Sequence, residues 1–226
     1  MQDQIFGSRM DLHQTGTETA RKQPREVRRA QLIEATIEVI ATRGYARATL
    51  AEVARLAGLA HGLVNFHFKT KDLLLSETLA YLWEEYRQNW GAALAAAGKD
   101  PAHQLNALIH ADFAPAICTP ARQGAWAAFW AEAQCRPLYQ EKCAMNDLAY
   151  IGHLESICAD LLGQRDIRSV RAARVIRVTL EGVWMDMITQ SSPYSRDEAL
   201  ATVLAVAASF FPSRFGGDGS VLPLGL

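Results

Sequence analysis

From about residue 28 to residue 211, apolar residues recur at three- and four-residue steps, and no stretch alternates with the two-residue period of a half-buried strand. The pattern predicts an all-α protein. Ile33, Thr36, Ile37 and Ile40 form a first stripe ending at Gly44. Leu50, Val53, Ala54 and Ala57 form a second, opened by Thr49 and Glu52 at the spacing of a reciprocal cap and closed by Gly58, whose missing Cβ permits positive φ at a helix exit. A third helix, about 60–66, starts within a few residues. Thr70 then caps a long helix bearing Leu74, Thr78, Leu82, Tyr86 and Trp90, which loses its pattern at Gly98-Lys99-Asp100-Pro101. A helix from about Ala102 turns Leu105, Leu108, Ile109 and Phe113 inward until Pro115, and the next begins at Thr119-Pro120 with Trp126, Phe129, Trp130 and Ala133 on one side. Helices over 138–162 and 168–190 follow, and Ser195 and Glu198 cap a last one that runs to about Phe211.

Two short helices joined by a tight turn over residues 49–69 are the arrangement that lays a second helix in the DNA major groove. An ordinary helical corner without a ligand fits the bare pattern equally well. Charge favours DNA. Residues 21–71 hold ten Lys or Arg against four Asp or Glu, whereas residues 72–226 hold twelve against seventeen. A net charge of −1 over 226 residues argues against generic polyanion binding and confines phosphate attraction to the first domain. The expected domains are a mobile tail over 1–24, a helix-turn-helix DNA-binding domain over 25–71, an effector-binding and dimerisation domain over 72–212 and a C-terminal tail over 213–226. Arg21, Lys22, Arg25, Arg28 and Arg29 would form a phosphate-seeking arm.

No apolar run reaches the roughly twenty residues needed to cross a bilayer, and no secretory signal opens the chain, so a cytoplasmic protein with no membrane partner is expected. Cys118, Cys135, Cys143 and Cys158 show no metal spacing and read as free thiols. The chain carries no GxSxG, phosphate loop, HExxH or paired cysteine–histidine motif, so neither an enzyme nor a cofactor or metal is expected.

The spaced elements Leu32-Ile33-x-Ala35, Gly44-Tyr45, Thr49-x-x-x-Val53-Ala54, Ala57-Gly58-Leu59, Gly62 and His67-Phe68-Lys69-x-Lys71-x-x-Leu74 resemble the DNA-binding domain of the TetR family of transcriptional repressors. The resemblance implies a three-helix reading head followed by a connecting helix. The predicted reading helix opens with Ala60, assigned to DNA binding, and His61, Gly62, Leu63 and Asn65 lie at base edges: Asn65 suits adenine, Leu63 a thymine methyl, and Gly62 close backbone approach. Thr49, His67, Lys69 and Lys71 are assigned to phosphates, and Val64, Phe66 and Phe68 to the small core. The family often has Tyr where Asn65 stands, so base preference should differ, and Ser where Ala60 stands, so a cap or phosphate contact should be missing.

In the second domain, the run Gly124-Ala125-Trp126-Ala127-Ala128-Phe129-Trp130-Ala131, then Arg136-Pro137-Leu138-Tyr139 and Leu180-Glu181-Gly182-Val183-Trp184, is similar to the BetI-type branch, which is associated with choline sensing. A choline-like quaternary amine would bind by cation–π contact with several rings beside a carboxylate. Tyr86, Phe113, Trp126, Phe129, Trp130 and Trp184 are the assigned ligand residues, with Tyr81 and Asp112 on adjacent helices; core filling is the alternative for each ring. The resemblance also implies a homodimer reading a near-palindromic operator, joined through Val175, Val178, Thr179 and Gly182 on one helix and Leu200, Val203, Leu204, Ala207 and Phe210 on the next. Intramolecular core is the alternative for those stripes. A TetR-type sensor of an unrelated apolar metabolite or drug and a nonspecific DNA-architectural protein are the rival readings.

Overall fold

A computed structural model describes residues 24–223 as nine α-helices and one 3-10 turn, with no strand beyond an isolated bridge between Phe215 and Val221. The predicted mobile tail up to residue 23, with Arg21 and Lys22 of its basic arm, lies outside the described residues, as does the side chain of Cys143, while Pro24 stands at the start of the first helix. Helix α1 (Arg25–Arg43) buries Ile33, Thr36, Ile37 and Ile40, the predicted stripe, together with Leu32. It leads through the 3-10 turn Tyr45–Arg47, which the hydrophobic pattern did not reveal, into α2 (Leu50–Ala57). Thr49 Oγ accepts from Glu52 N–H at 3.2 Å. The reciprocal half of that cap is absent, because the Glu52 carboxylate instead pairs with Arg43 at 2.6 Å and Arg55 at 2.8 Å. Gly58 stops α2 in the left-handed region at φ 66°, with Leu59 N–H donating to Ala54 O. Helix α3 (His61–His67) follows at once.

Thr70 caps α4 (Lys71–Ala96), a 26-residue helix that leaves the reading head and enters the larger helical body. That body comprises α5 (Pro101–Asp112), α6 (Pro120–Ala133), α7 (Pro137–Leu162), α8 (Ile167–Thr189) and α9 (Arg196–Phe210). The first three each begin with proline, whose missing N–H costs nothing in a first turn. Helix α8 opens on a full capping box between Asp166 and Ser169. No described helix is long and apolar enough to cross a membrane.

Helix α6 packs broadly along α1 and so joins the two parts of the molecule. Gly124 makes the approach possible, since a Cβ there would stand 3.2 Å from both Cα and Cβ of Ala41. Polar links reinforce the seam: Tyr45 and Tyr139 share a hydrogen bond at 2.8 Å between their hydroxyls, and Arg122 bonds both Glu34 on α1 and Glu85 on α4.

Two expectations for the last helices change. Val203 (0% exposed), Leu204 (7%) and Ala207 (0%) lie in the protomer's own core, because α9 turns its branched residues onto α5 and α8. They are not free for a partner. The predicted C-terminal tail, as far as residue 223, packs back onto the body: Phe215 is buried, and Arg214 Nη2 donates to both oxygens of Asp100. Cys118, Cys135 and Cys158 are free thiols; burial pushes Cys158 up to about 12, so it is unreactive filler.

Candidate functional site

The reading head is held by a small core in which Val53, Val64 and Phe68 are fully buried. Fixing the helix from behind leaves Ala60, His61, Gly62 and Asn65 exposed and Leu63 half-buried, one continuous edge. Asn65 Nδ2 lies 3.3 Å from His61 Nδ1, one turn away on that edge.

Three expectations in this region are corrected. Phe66, assigned to the core, is 68% exposed beside Asn65, with the Arg25 guanidinium 6.0 Å from its ring centre. A helix of seven residues has room to bury only one face, and Val64 and Phe68 already occupy it. His67 is only 7% exposed, and burial, then the nearby charges of Arg25 and Arg29, lower its pKa, so the ring stays neutral and is not offered to a phosphate. Lys71 Nζ donates to the backbone oxygens of Tyr45 and Ala46 at 3.2 and 2.9 Å, tying the first turn of α4 to the 3-10 turn. Ion pairing thins the basic surface further, since Arg29 binds Glu77 and Glu52 binds both Arg43 and Arg55. Among the described residues, Arg25, Arg28, Arg47 and Lys69 make no ion pair. Thr49 is exposed, but its hydroxyl is engaged as the cap of α2.

The second site is a cavity of ≈60 Å³ inside the larger body. Trp83 and Tyr86 from α4, Asp112 from α5, Trp126 and Trp130 from α6, Asp147 and Tyr150 from α7, and Arg177, Leu180, Glu181 and Trp184 from α8 line it. The rings pack as a cage. Trp83 meets Trp126 edge-on with centroids 4.6 Å apart, Trp126 stacks on Trp130 at 6.2 Å, and Tyr86 lies 5.7 Å from Tyr150. Ring faces of this kind carry negative quadrupole potential and attract cations.

Asp112 is the electrostatic centre of the cage. It is 4% exposed and accepts from Tyr86 Oη at 2.6 Å and Tyr150 Oη at 2.9 Å. Burial pushes its pKa up to about 7, although the two phenol donors favour its ionised form. Burial, with Glu181 nearby, also pushes Asp147 up to about 6. Burial first, and then the Asp112 charge, holds Tyr86 and Tyr150 well above the ordinary phenol range, so both remain donors. Arg177 is already paired with Glu181 one turn on. The lining therefore holds three carboxylates and one guanidinium, and favours a cation.

Four of the six sequence-assigned ligand residues, Tyr86, Trp126, Trp130 and Trp184, meet here. Phe113 and Phe129 do not. Phe113 sits at the C-terminal cap of α5, and Phe129 is fully buried between Tyr45 and Tyr139, at 5.9 and 5.8 Å between centroids, so it supports the seam with the reading head. Tyr81 donates to Glu34 at 2.9 Å and belongs to that seam too. The sequence assignment missed Trp83, Asp147, Tyr150, Arg177, Leu180 and Glu181. A usable signal existed for some: Trp83 stands three residues before Tyr86, and Arg177, Leu180 and Glu181 stand seven, four and three before Trp184, all on shared helix faces.

On the outer side of α8, Val175 (42% exposed), Val178 (51%) and Met185 (38%) line up with the exposed Gly182. The open side of α9 is small: Ala201 and Ala205 are exposed, and Leu200, Ala208 and Phe210 are half-buried.

A helix-turn-helix head whose connecting helix runs into a cation-favouring cavity is the construction of a ligand-responsive DNA-binding regulator. The comparisons agree. Residues 32–78 match the family of bacterial regulatory proteins of the tetR type, and residues 101–212 match the C-terminal domain of BetI-type transcriptional repressors. The HTH-type transcriptional regulator BetI of Paraburkholderia phytofirmans is 32% identical over 177 residues, covering 78% of this chain and 89% of that protein. The BetI regulator of Serratia proteamaculans is 28% identical over 77% of this chain and 88% of its own. Among solved structures, a transcriptional regulator of Pseudomonas aeruginosa PAO1 superposes with a TM-score of 0.72 at 22% identity, covering 84% and 93% of the two chains. A regulator of Saccharomonospora viridis, solved in complex with choline, superposes with a TM-score of 0.69 at 18% identity over 79% and 94%. The chain belongs to the TetR family and carries a BetI-type C-terminal domain, and it is a transcriptional repressor of that type.

Proposed function

We propose that two copies of this chain pair through α8 and α9, read a near-palindromic operator, and are released when a small quaternary ammonium ion of the choline type enters the aromatic cavity. The cavity lining carries this reading: a ring cage closes around a carboxylate that two tyrosines hold in place, with a single guanidinium already neutralised. A volume of ≈60 Å³ favours a compact cation over the larger apolar drugs considered as the rival ligand class. Choline bound to the Saccharomonospora viridis regulator supports the same class.

Asn65, His61, Leu63 and Phe66 form the base-reading edge in this proposal, with Gly62 and Ala60 allowing close approach. Lys69, Arg47, Arg25 and Arg28 hold phosphates, which sets register and affinity but carries no sequence information. One short helix gives little discrimination, so pairing supplies the second half-site. The paired surface is the Val175–Val178–Gly182–Met185 face of α8 with Ala201, Ala205 and Leu200 of α9, where small side chains let helices approach closely.

Effector and operator are coupled through two elements that touch both sites. Helix α4 carries Trp83 and Tyr86 of the cage and begins at the reading head; α6 carries Trp126 and Trp130 and packs on α1. A ligand that prefers the released arrangement by 1.4 kcal/mol weakens operator binding about tenfold, and the operator weakens ligand binding by the same factor. The test is a titration of operator and scrambled duplexes with and without choline at fixed salt. The proposal requires tight binding to the operator alone and its loss with choline; choline that binds without altering operator affinity refutes the coupling.

A further inference from the structure

We infer that Phe66 reads the C5 methyl group of a pyrimidine in each half-site, so that thymine or 5-methylcytosine, and not unmethylated cytosine, is recognised at that position of the operator. The inference rests on the base-reading edge proposed above and goes beyond it by giving one residue of that edge its ligand group. Among the described residues, Phe66 is the only aromatic side chain left exposed; every other Phe, Tyr and Trp is buried or half-buried. A lone exposed apolar residue is ordinary on a protein surface. This one is 68% exposed on the very helix that enters the groove, whose opposite side holds the buried Val64 and His67.

Residues three and four apart are neighbours on a helix, so the exposed half of α3 carries two rows. His61 and Asn65, 3.3 Å apart, form a polar row. Gly62 and Phe66, with the half-buried Leu63 three residues before the ring, form an apolar one. Nothing lies within 4 Å of the point where a Cβ on Gly62 would stand, so no side chain shields the ring from the turn before it. The Arg25 guanidinium, free of ion pairs among the described residues, lies 6.0 Å from the ring centre and sets a phosphate-binding cation beside it. A phenyl ring has neither donor nor acceptor, so it cannot read N7, O6, O4 or an amino group. The C5 methyl is the apolar group that a base edge offers in the major groove. Thymine and 5-methylcytosine carry it, whereas uracil and cytosine do not.

The test starts from the duplex that the full chain enriches from a random library. Each thymine of a half-site is replaced in turn by deoxyuridine, which removes only the methyl group, and affinity is read by anisotropy. At one thymine the wild-type protein should lose about three- to fivefold, the worth of one buried methyl. Cytosine and 5-methylcytosine placed at that position should differ by a ratio of the same size, in favour of the methylated base. Both ratios should fall to about one in Phe66→Ala and in Phe66→Gln. The ring is exposed, so both variants keep the core, and each ratio compares two duplexes on one protein, so a general loss of stability cancels. The absence of any thymine whose methyl matters, or ratios unchanged in both variants, overturns the inference. Ratios that fall in Leu63→Ala but not in the Phe66 variants give the methyl to Leu63 instead and overturn it too. Equal weakening on every duplex assigns the ring to the sugar–phosphate backbone, and an altered mass in light scattering with the ratios intact assigns it to a protein contact; either result has the same consequence. Failure of the underlying reading looks different, because no sequence is then enriched from the library.

Discussion

Replacing Asp112 by Asn should make the protein more stable at pH 8 and deaf to its effector. Burial raises this carboxyl from 3.8 to about 7, a difference of about three units, worth at most about 4 kcal/mol at 1.36 kcal/mol per unit. The folded state thus holds the proton more tightly than the unfolded chain does. The stability contributed by this group is complete below about pH 4 and is lost as the pH rises through about 7. At pH 8 the wild-type protein carries a buried charge that Asn avoids, so ligand-free Asp112→Asn should melt several degrees higher. A bound cation reverses the balance by favouring the ionised carboxylate. Apparent choline affinity in the wild type should therefore fall about tenfold between pH 8 and pH 6. Below pH 6 it should fall further as Asp147, raised to about 6, also takes a proton. The other facing groups leave this profile in place, because Tyr86 and Tyr150 stay protonated and Arg177 stays paired with Glu181. Calorimetry from pH 5.5 to 8.5 on both proteins is the assay, with thermal melts beside it. A flat wild-type profile, or undiminished choline affinity in Asp112→Asn, would falsify the assignment of Asp112 as counter-ion.

Tyr150→Phe removes a donor that favours ionised Asp112, so the midpoint of the same pH profile should move upward. Arg122→Gln cuts the links from α6 to Glu34 and Glu85; choline should still bind, while its effect on operator affinity shrinks at least several-fold, as measured by anisotropy with labelled duplex. Lys69→Ala should weaken binding to every duplex and lower the salt slope by about 1, whereas Lys71→Ala should chiefly lower thermal stability, because its ammonium group is tied to Tyr45 and Ala46. Val178→Glu places a charge on the half-exposed face of α8 and should give monomers in light scattering without lowering secondary structure; a variant that remains dimeric excludes this face.

Much of the fold was legible because its causes are local. The stripe Ile33, Thr36, Ile37 and Ile40, the Gly58 stop, and the caps at Thr49, Thr70, Thr119 and Ser195 all act within one or two helical turns, although the Glu52 carboxylate turns to Arg43 and Arg55 instead of closing the reciprocal cap. The cage was legible in part, through Tyr86, Trp126, Trp130 and Trp184. Its remainder was not, because Asp147 and Tyr150 stand on a helix to which no ligand residue was assigned, and only packing turns that helix toward the others.

The sequence by itself determined where helices start and stop, that no sheet forms among them, and that one end reads DNA, since periodicity, capping and charge are properties of neighbours along the chain. Tertiary structure decided which apolar faces are spent inside the protomer. It took Val203, Leu204 and Ala207 for the core, diverted Phe129 and Lys71 to the seam around Tyr45, and left Phe66 outside. A helix face is equally apolar whether it meets its own chain, a ligand or a partner, and only the three-dimensional arrangement of the other helices settles which surface covers it.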